Sequence, residues 1–284
     1  MPTLSKITAV ALAVLLGPLL AVPVNAASNF DCMIEPMQTV EMRSTVAGLI
    51  DKITVKRGDR VKTGQVLVTL ESSVERAAAE AAHFRAEMMG PEEVAATKLG
   101  FAKRKFERRR AMSAERLMSG QDRDDAEGEM KTAAAELKLA EENRDVAALD
   151  ANQQAGLLER RTLRAPFNGV VADQTLYAGE VVQPGDSQKS ILKLAQLDPL
   201  RVHVILPRTA FGSVKRSMQV NVTPELSNIP RVKGTVTIID SLIDGASGTF
   251  SVFVEVPNPK LDVPAGLKCR AEFPIDVPKG SPRE

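Results

Sequence analysis

Cys32 and Cys269 stand near opposite ends of this chain and are its two cysteines. The chemistry open to them depends on the compartment, and the first residues address that question. Lys6 supplies a short positive start, Ile7 to Val22 an apolar run, and Val24-Asn25-Ala26 the small residues that precede a cleavage point, the layout of a secretory signal peptide. The run is short for a bilayer span and is interrupted by Pro18, with Pro23 at its end, so cleavage after Ala26 is expected rather than a retained anchor. In an oxidising compartment an even cysteine count points to a disulfide rather than two buried thiols. Such a bond needs Cα atoms within ~7 Å, so it would make the two ends of the mature fold neighbours. A lipid anchor on Cys32 is not expected, because Ser28-Asn29-Phe30-Asp31 lacks the small apolar residues that a lipidation signal needs.

Other reactive side chains do not assemble into sites. His83 and His203 are far apart in sequence and in expected domains, and neither is read as part of a metal-ligand set. There is no GxSxG, phosphate loop, dinucleotide fingerprint or zinc signature, so no catalytic residues and no cofactor are assigned. Arg57-Gly58-Asp59-Arg60 reads as a turn whose glycine takes positive φ. Lys103 to Arg110, KRKFERRR, has the charge density of a nucleic-acid patch, but Phe106 alone interleaves it and the chain is exported, so it reads as a solvated helix face. Overall, 37 basic residues face 36 acidic ones, which leaves no field to select nucleic acid. With no Trp and one Tyr, the chain is poor in the aromatic anchors of small-molecule pockets.

The elements that position these residues are read from periodicity. Val40 to Leu70 holds short alternating apolar runs punctuated by Gly48, Gly58 and Gly64, the pattern of strands. From Ser73 the composition shifts to Ala, Glu, Arg, Lys, Leu and Met, which favour helix. Ala126, Met130, Ala133, Leu137, Ala140, Arg144, Ala147, Ala151, Gln154 and Leu158 fall at alternating spacings of four and three, a coiled-coil seam with two polar members. In the preceding stretch Val74, Ala78, Ala81, Met88, Ala95, Leu99, Ala102 and Phe106 hold a similar frame, which Arg85 and Glu92 interrupt. Gly90-Pro91 predicts a kink or a restarted helix with Pro91 in its first turn. Ser119-Gly120 reads as the turn between arms spanning roughly 73–117 and 121–160, each ~60 Å long at 1.5 Å per residue. Two matched helices joined by a short turn are antiparallel neighbours.

After the second arm, GVVADQTLYAGEVVQPGD from Gly169 repeats the layout of GLIDKITVKRGDRVKTGQ from Gly48. The hairpin is therefore read as an insertion between two halves of one β-domain. This layout, with RAPFNGVV at Arg164 and LDPLRVHVILP at Leu197, resembles the periplasmic adaptor subunits of tripartite efflux and secretion systems, the membrane fusion proteins of the HlyD-like family. The resemblance implies an α+β chain: a split lipoyl/biotinyl-like β-domain interrupted by a long antiparallel α-helical coiled-coil hairpin, followed by a small six-stranded β-barrel. The expected boundaries are 1–26 signal peptide, 27–39 N-terminal strand joining the barrel, 40–72 and 161–197 the lipoyl-like halves, 73–160 hairpin, 198–275 barrel and 276–284 tail. Lipoyl and biotinyl carriers display a lysine on the turn that the hairpin replaces here, so carrier function is not expected.

Alternating runs at Val202–Leu206, Met218–Val222, Val232–Ile239, Thr249–Val256 and Leu267–Phe273, with a sixth near Phe30–Pro36, suggest a barrel closed against exposed edges. Closure would set the first and last strands side by side, as a Cys32–Cys269 bond requires. Only eleven residues follow Phe273, so the membrane-proximal domain that many relatives build from both chain ends is expected to be missing or vestigial. The resemblance further implies a noncatalytic protein peripheral to the inner membrane, with an inner-membrane transporter and a TolC-like outer-membrane channel as partners and copies packed in a ring. The family's tip pattern of Arg, Leu and Ser falls on Arg108, Met112 and Ser119, with Met in place of Leu; Ser119 reads equally as a helix cap. Two other readings stay open, an adaptor for protein or polysaccharide secretion and a self-associating periplasmic scaffold.

Overall fold

The computed structural model describes residues 28–185 and 189–276. The expected signal peptide and residues 277–284 of the expected tail lie outside them. In chain order the elements are β1 (Ser28–Met42), β2 (Gly48–Ile53), β3 (Arg60–Val61), β4 (Val66–Leu70), α1 (Ser73–Glu87), α2 (Gly90–Ala114) and α3 (Gly120–Glu159). There follow β5 (Thr162–Arg164), β6 (Gly169–Gln174), β7 (Val181–Val182), β8 (Leu192–Pro207), β9 (Gln219–Pro224), β10 (Val232–Ile239), β11 (Thr249–Val256) and β12 (Leu267–Phe273). They fall into two compact units, with the chain passing from one to the other within β1 after Glu35 and within β8 after Leu200, and with Asn258–Leu261 grouping with the second unit.

The first unit is the six-stranded barrel. Its strands run in the order β1, β12, β9, β10, β11, β8, and β8 pairs again with β1. The side-chain period of two drives this arrangement: Phe250, Val252, Val254 and Val256 of β11 are buried while the residues between them are half-exposed. Val202, Val204 and Leu206 of β8 do the same, and closure removes the free edges that an open sheet would leave. Gly234 admits the close approach of β11, since a Cβ there would lie 2.5 Å from Val254 Cγ1.

The second unit contains the split β-domain and the hairpin. Its two halves exchange strands: Leu49 of β2 pairs with Val181 of β7, and Arg60 of β3 pairs with Val170 of β6. The hydrogen bonds carry the same exchange. Gly58 N–H donates to Val171 O and Gly179 N–H to Ile50 O, while Ile50 N–H donates to Glu180 O and Val171 N–H to Asp59 O. The repeat seen in the sequence is thus a pseudo-two-fold, and Gly58 (φ +94°) and Gly179 (φ +92°) occupy equivalent turns. Ile50, Val61, Leu67, Leu70, Phe167 and Val171 are among the residues of the common core.

The hairpin forms where the helix formers begin. Helix α1 stops at Glu87 because Pro91 cannot continue its ladder, Met88 turns extended (ψ 111°), and α2 restarts at Gly90 with Pro91 in its first turn. All ten seam positions expected in α3 are buried or half-buried, and Ala126 and Ala133 are buried outright. In α2, Ala95 and Leu99 are buried as expected. In α1 the frame is corrected by one residue: Ala81, Val74 and Met88 are exposed, and Ala82 is the buried position. The non-helical step at Met88 changes the phase, so a frame set by α2 does not extend back across it.

Candidate functional site

The hairpin tip is where the resemblance assigns function, and its local structure follows from its residues. The turn after α2 carries Arg116 at positive φ (62°) and is held by Leu117 N–H donating to Met112 O at 2.9 Å. Ser119 caps α3: its Oγ accepts from Asp122 N–H at 3.2 Å and donates to Asp122 Oδ2 at 2.6 Å. Asp122 places negative charge in the first turn, where the macrodipole favours it. Arg109 ties the two arms together, donating to Asp122 O at 3.1 Å with the carboxylate 3.6 Å away. Sequence reasoning passed over Arg109 as one of several arginines; the acid across the turn was the signal that could have singled it out.

Arg108 and Met112 are four residues apart on one side of α2, and both are exposed. Among the described residues Arg108 has no ion-pair partner, whereas Lys105 beside it bonds Glu129 at 2.6 Å and Arg104 lies over the Phe101 ring. The Lys105 ammonium hydrogen-bonds Glu129 and holds its carboxyl below the usual range. The basic run is therefore partly consumed by the hairpin, and Arg108 is left directed to solvent. Leu117, 68% exposed at the turn, adds an apolar group that no sequence pattern marked. Ser119 is occupied as a cap, so Arg108, Met112 and Leu117 are the side chains that this end of the hairpin leaves exposed beside it.

Elsewhere, Cys32 and Cys269 are register partners of β1 and β12, with Cα atoms 4.9 Å apart and sulfurs at bonding distance. His203 stacks on Phe253 with Nε2 2.9 Å from Ser251 Oγ, and His83 lies 3.4 Å from Glu87. Among the described residues no three His, Cys, Asp or Glu side chains are grouped to hold a metal ion, and no helix is long and apolar enough to cross a membrane.

Residues 38–196, more than half of the chain, match the CzcB-like, barrel-sandwich hybrid domain. The chain belongs to that family. The barrel-sandwich hybrid is the unit built by the exchanged halves, and its match spans the inserted hairpin. Solved structures share the fold over longer stretches. MacA from Actinobacillus actinomycetemcomitans is 20% identical with a TM-score of 0.71, over 87% of this chain and 78% of that one. A MacA-MexA chimera containing the Pseudomonas aeruginosa MexA α-hairpin domain is 19% identical with a TM-score of 0.55, over 88% and 81%. The membrane fusion protein Spr0693 from Streptococcus pneumoniae R6 is 16% identical with a TM-score of 0.60, over 87% and 98%. At these identities the likeness is one of fold.

Proposed function

We propose that this protein is a noncatalytic periplasmic adaptor that links an inner-membrane transporter to a TolC-like outer-membrane channel in the efflux of small molecules. The observation that carries the reading is the insertion itself. A barrel-sandwich hybrid domain interrupted by a hairpin of ~60 Å serves as a base for a rod, and the rod presents an unpaired Arg108 with exposed Met112 and Leu117 at its end. The lipoyl-like character of the split domain, the coiled-coil character of the hairpin and export behind a cleaved signal peptide belong to the same proposal. So do the peripheral location at the inner membrane and the assembly of copies into a ring, which heterologous contacts close when the rotation permits. Ser119 contributes by fixing the turn.

The test is a photoreactive residue at Met112 in intact cells, with identification of what it captures. Capture of an outer-membrane channel, lost in Arg108→Glu while the variant keeps its helix content and its export to the periplasm, is the expected result. Capture of no channel, or undiminished capture and normal efflux in Arg108→Glu, overturns the tip assignment.

A further inference from the structure

One end of the barrel gathers two loops into a single apolar surface. β8, β10 and β12 end there, and β1, β9 and β11 begin there, joined by the connections 208–218 and 240–248. The two loops are tied to each other. Arg208 N–H donates to Gly248 O at 2.9 Å, and the rings of Phe211 and Phe250 meet edge to face with centroids 5.2 Å apart. The second loop is also closed on itself: Gly248 N–H donates to Asp244 O, and Asp244 Oδ1 accepts from the N–H groups of Ala246 and Ser247. On this fixed backbone Leu242 is 86% exposed, and Ile243 beside it and Phe211 of the other loop are each more than 40% exposed. Ile238, one residue before the end of β10, is exposed as well.

The charges at this end are of both signs but differ in availability. Arg208, Lys215 and Arg216 are exposed, and among the described residues none of them has an ion-pair partner. The acids are Asp240, Asp244 and Asp276. Asp240 is half-buried, and the amides of its own turn bind Asp244 and hold its carboxyl below the usual range.

We infer that this end of the barrel docks on a lipid bilayer with anionic headgroups, Leu242, Ile243 and Phe211 entering the interface while Arg208, Lys215 and Arg216 meet the phosphates. Apolar side chains on the tips of turns suit a fluid surface, which closes around them wherever they stand, whereas a protein partner must offer a pocket for each. The unpaired cations supply the complementary charge, each worth on the order of fivefold in binding to an anionic surface. Ser28 begins β1 at this same end, and five residues separate it from the apolar run that closes at Val22. A chain whose leader is still in the bilayer thus holds this end at the membrane, and the loops keep it there after cleavage. The inference deepens the adaptor reading and rests on it for the membrane being the inner one.

The experiment uses the exported full chain, purified from the periplasm, and its flotation on vesicles of phosphatidylethanolamine with phosphatidylglycerol or of phosphatidylcholine alone. Expected are flotation with the anionic vesicles and a loss of at least about tenfold in binding for Leu242→Glu with Ile243→Glu. Lys215→Ala with Arg216→Ala should lose the preference for anionic vesicles. Comparing parent with variants holds any contribution of the leader constant. All four positions are exposed, so each variant should keep the parent's urea midpoint; Leu242→Ser, a milder change, should weaken binding in the same direction. A parent that does not float, or variants at Leu242 that float undiminished, overturns the docking. So does a photoreactive residue at position 242 that captures a membrane protein in cells while the purified chain leaves vesicles alone. Channel capture from Met112 without vesicle binding overturns the docking and keeps the adaptor. Vesicle binding without channel capture does the reverse.

Discussion

At the scale of the residue, the pair that best explains how an alanine-rich hairpin keeps one register is Glu92 and Arg144. Small seam residues bury little area each, and such a seam discriminates weakly between registers. Glu92 and Arg144 both sit in the seam, their charged atoms 2.6 Å apart, with side chains 23% and 35% exposed. A slip of either arm separates them and leaves two half-buried charges unpaired, which is the attested use of such pairs. Glu92→Ala or Arg144→Ala alone should lower hairpin stability by roughly 1–2 kcal/mol, and the double substitution should cost less than the sum. Thermal unfolding followed by far-ultraviolet circular dichroism gives the comparison, and strictly additive losses would show that the pair is not coupled. Both residues stand out in the sequence as polar interruptions of apolar frames. That they answer one another was not legible, because the meeting depends on how the turn at Arg116 sets one arm against the other. At the hairpin turn Arg108 and Met112 are exposed and Ser119 is taken up in capping, the second of the two roles its position in the sequence allowed, while Leu117 carries no pattern that a sequence exposes.

Among the elements, those governed by backbone constraint were the easiest to read. Gly58 and Gly179 announce a repeat because each turn needs a residue at positive φ, and the strands around them exchange about that repeat as the spacing implies. The barrel strands were equally legible, since the alternation of buried and less buried residues over β11 and β12 fits the two-residue period of a strand and not the 3.6-residue period of a helix, and β10 keeps it as far as Val236, beyond which its register shifts. The first helix was less so: apolar residues line two sides of α1, and only the phase change at Met88 decides which side is buried. Two glycines with the same open space around them, Gly58 in a turn and Gly128 in a helix, should therefore behave oppositely. A Cβ at Gly58 meets nothing within 4 Å, so Gly58→Ala pays only for its backbone, about 1–2 kcal/mol. Gly128, inside α3 with the same open space, should gain about 0.5–1 kcal/mol on substitution by Ala. Urea unfolding of the two variants measures both signs, and a Gly58→Ala protein as stable as the parent would remove the argument from the turn.

For the whole molecule, the consequential bond is the one between Cys32 and Cys269. Its sequence separation is 237, so the loop it closes contains the entire second unit, while both cysteines belong to the first. The chain-entropy effect grows slowly with loop length, and a folded unit inside the loop already restricts the unfolded ensemble, so the stabilisation should fall within the ordinary range of about 2–5 kcal/mol. Its place in the barrel matters more than its size. β1 and β12 are the first and last strands among the described residues, and their pairing is needed for the strand order to close. Losing the link should therefore loosen the barrel where the chain ends meet and leave the hairpin helices, which all lie in the second unit, unaffected. Cys32→Ser with Cys269→Ser is expected to speed hydrogen exchange in peptides covering Ser28–Ile34 and Leu267–Phe273, with the helical signal at 222 nm melting as in the parent. Equal loss of protection in α3 would mean that the bond supports the fold as a whole, and unchanged exchange in β1 and β12 would mean that strand pairing alone holds the barrel shut.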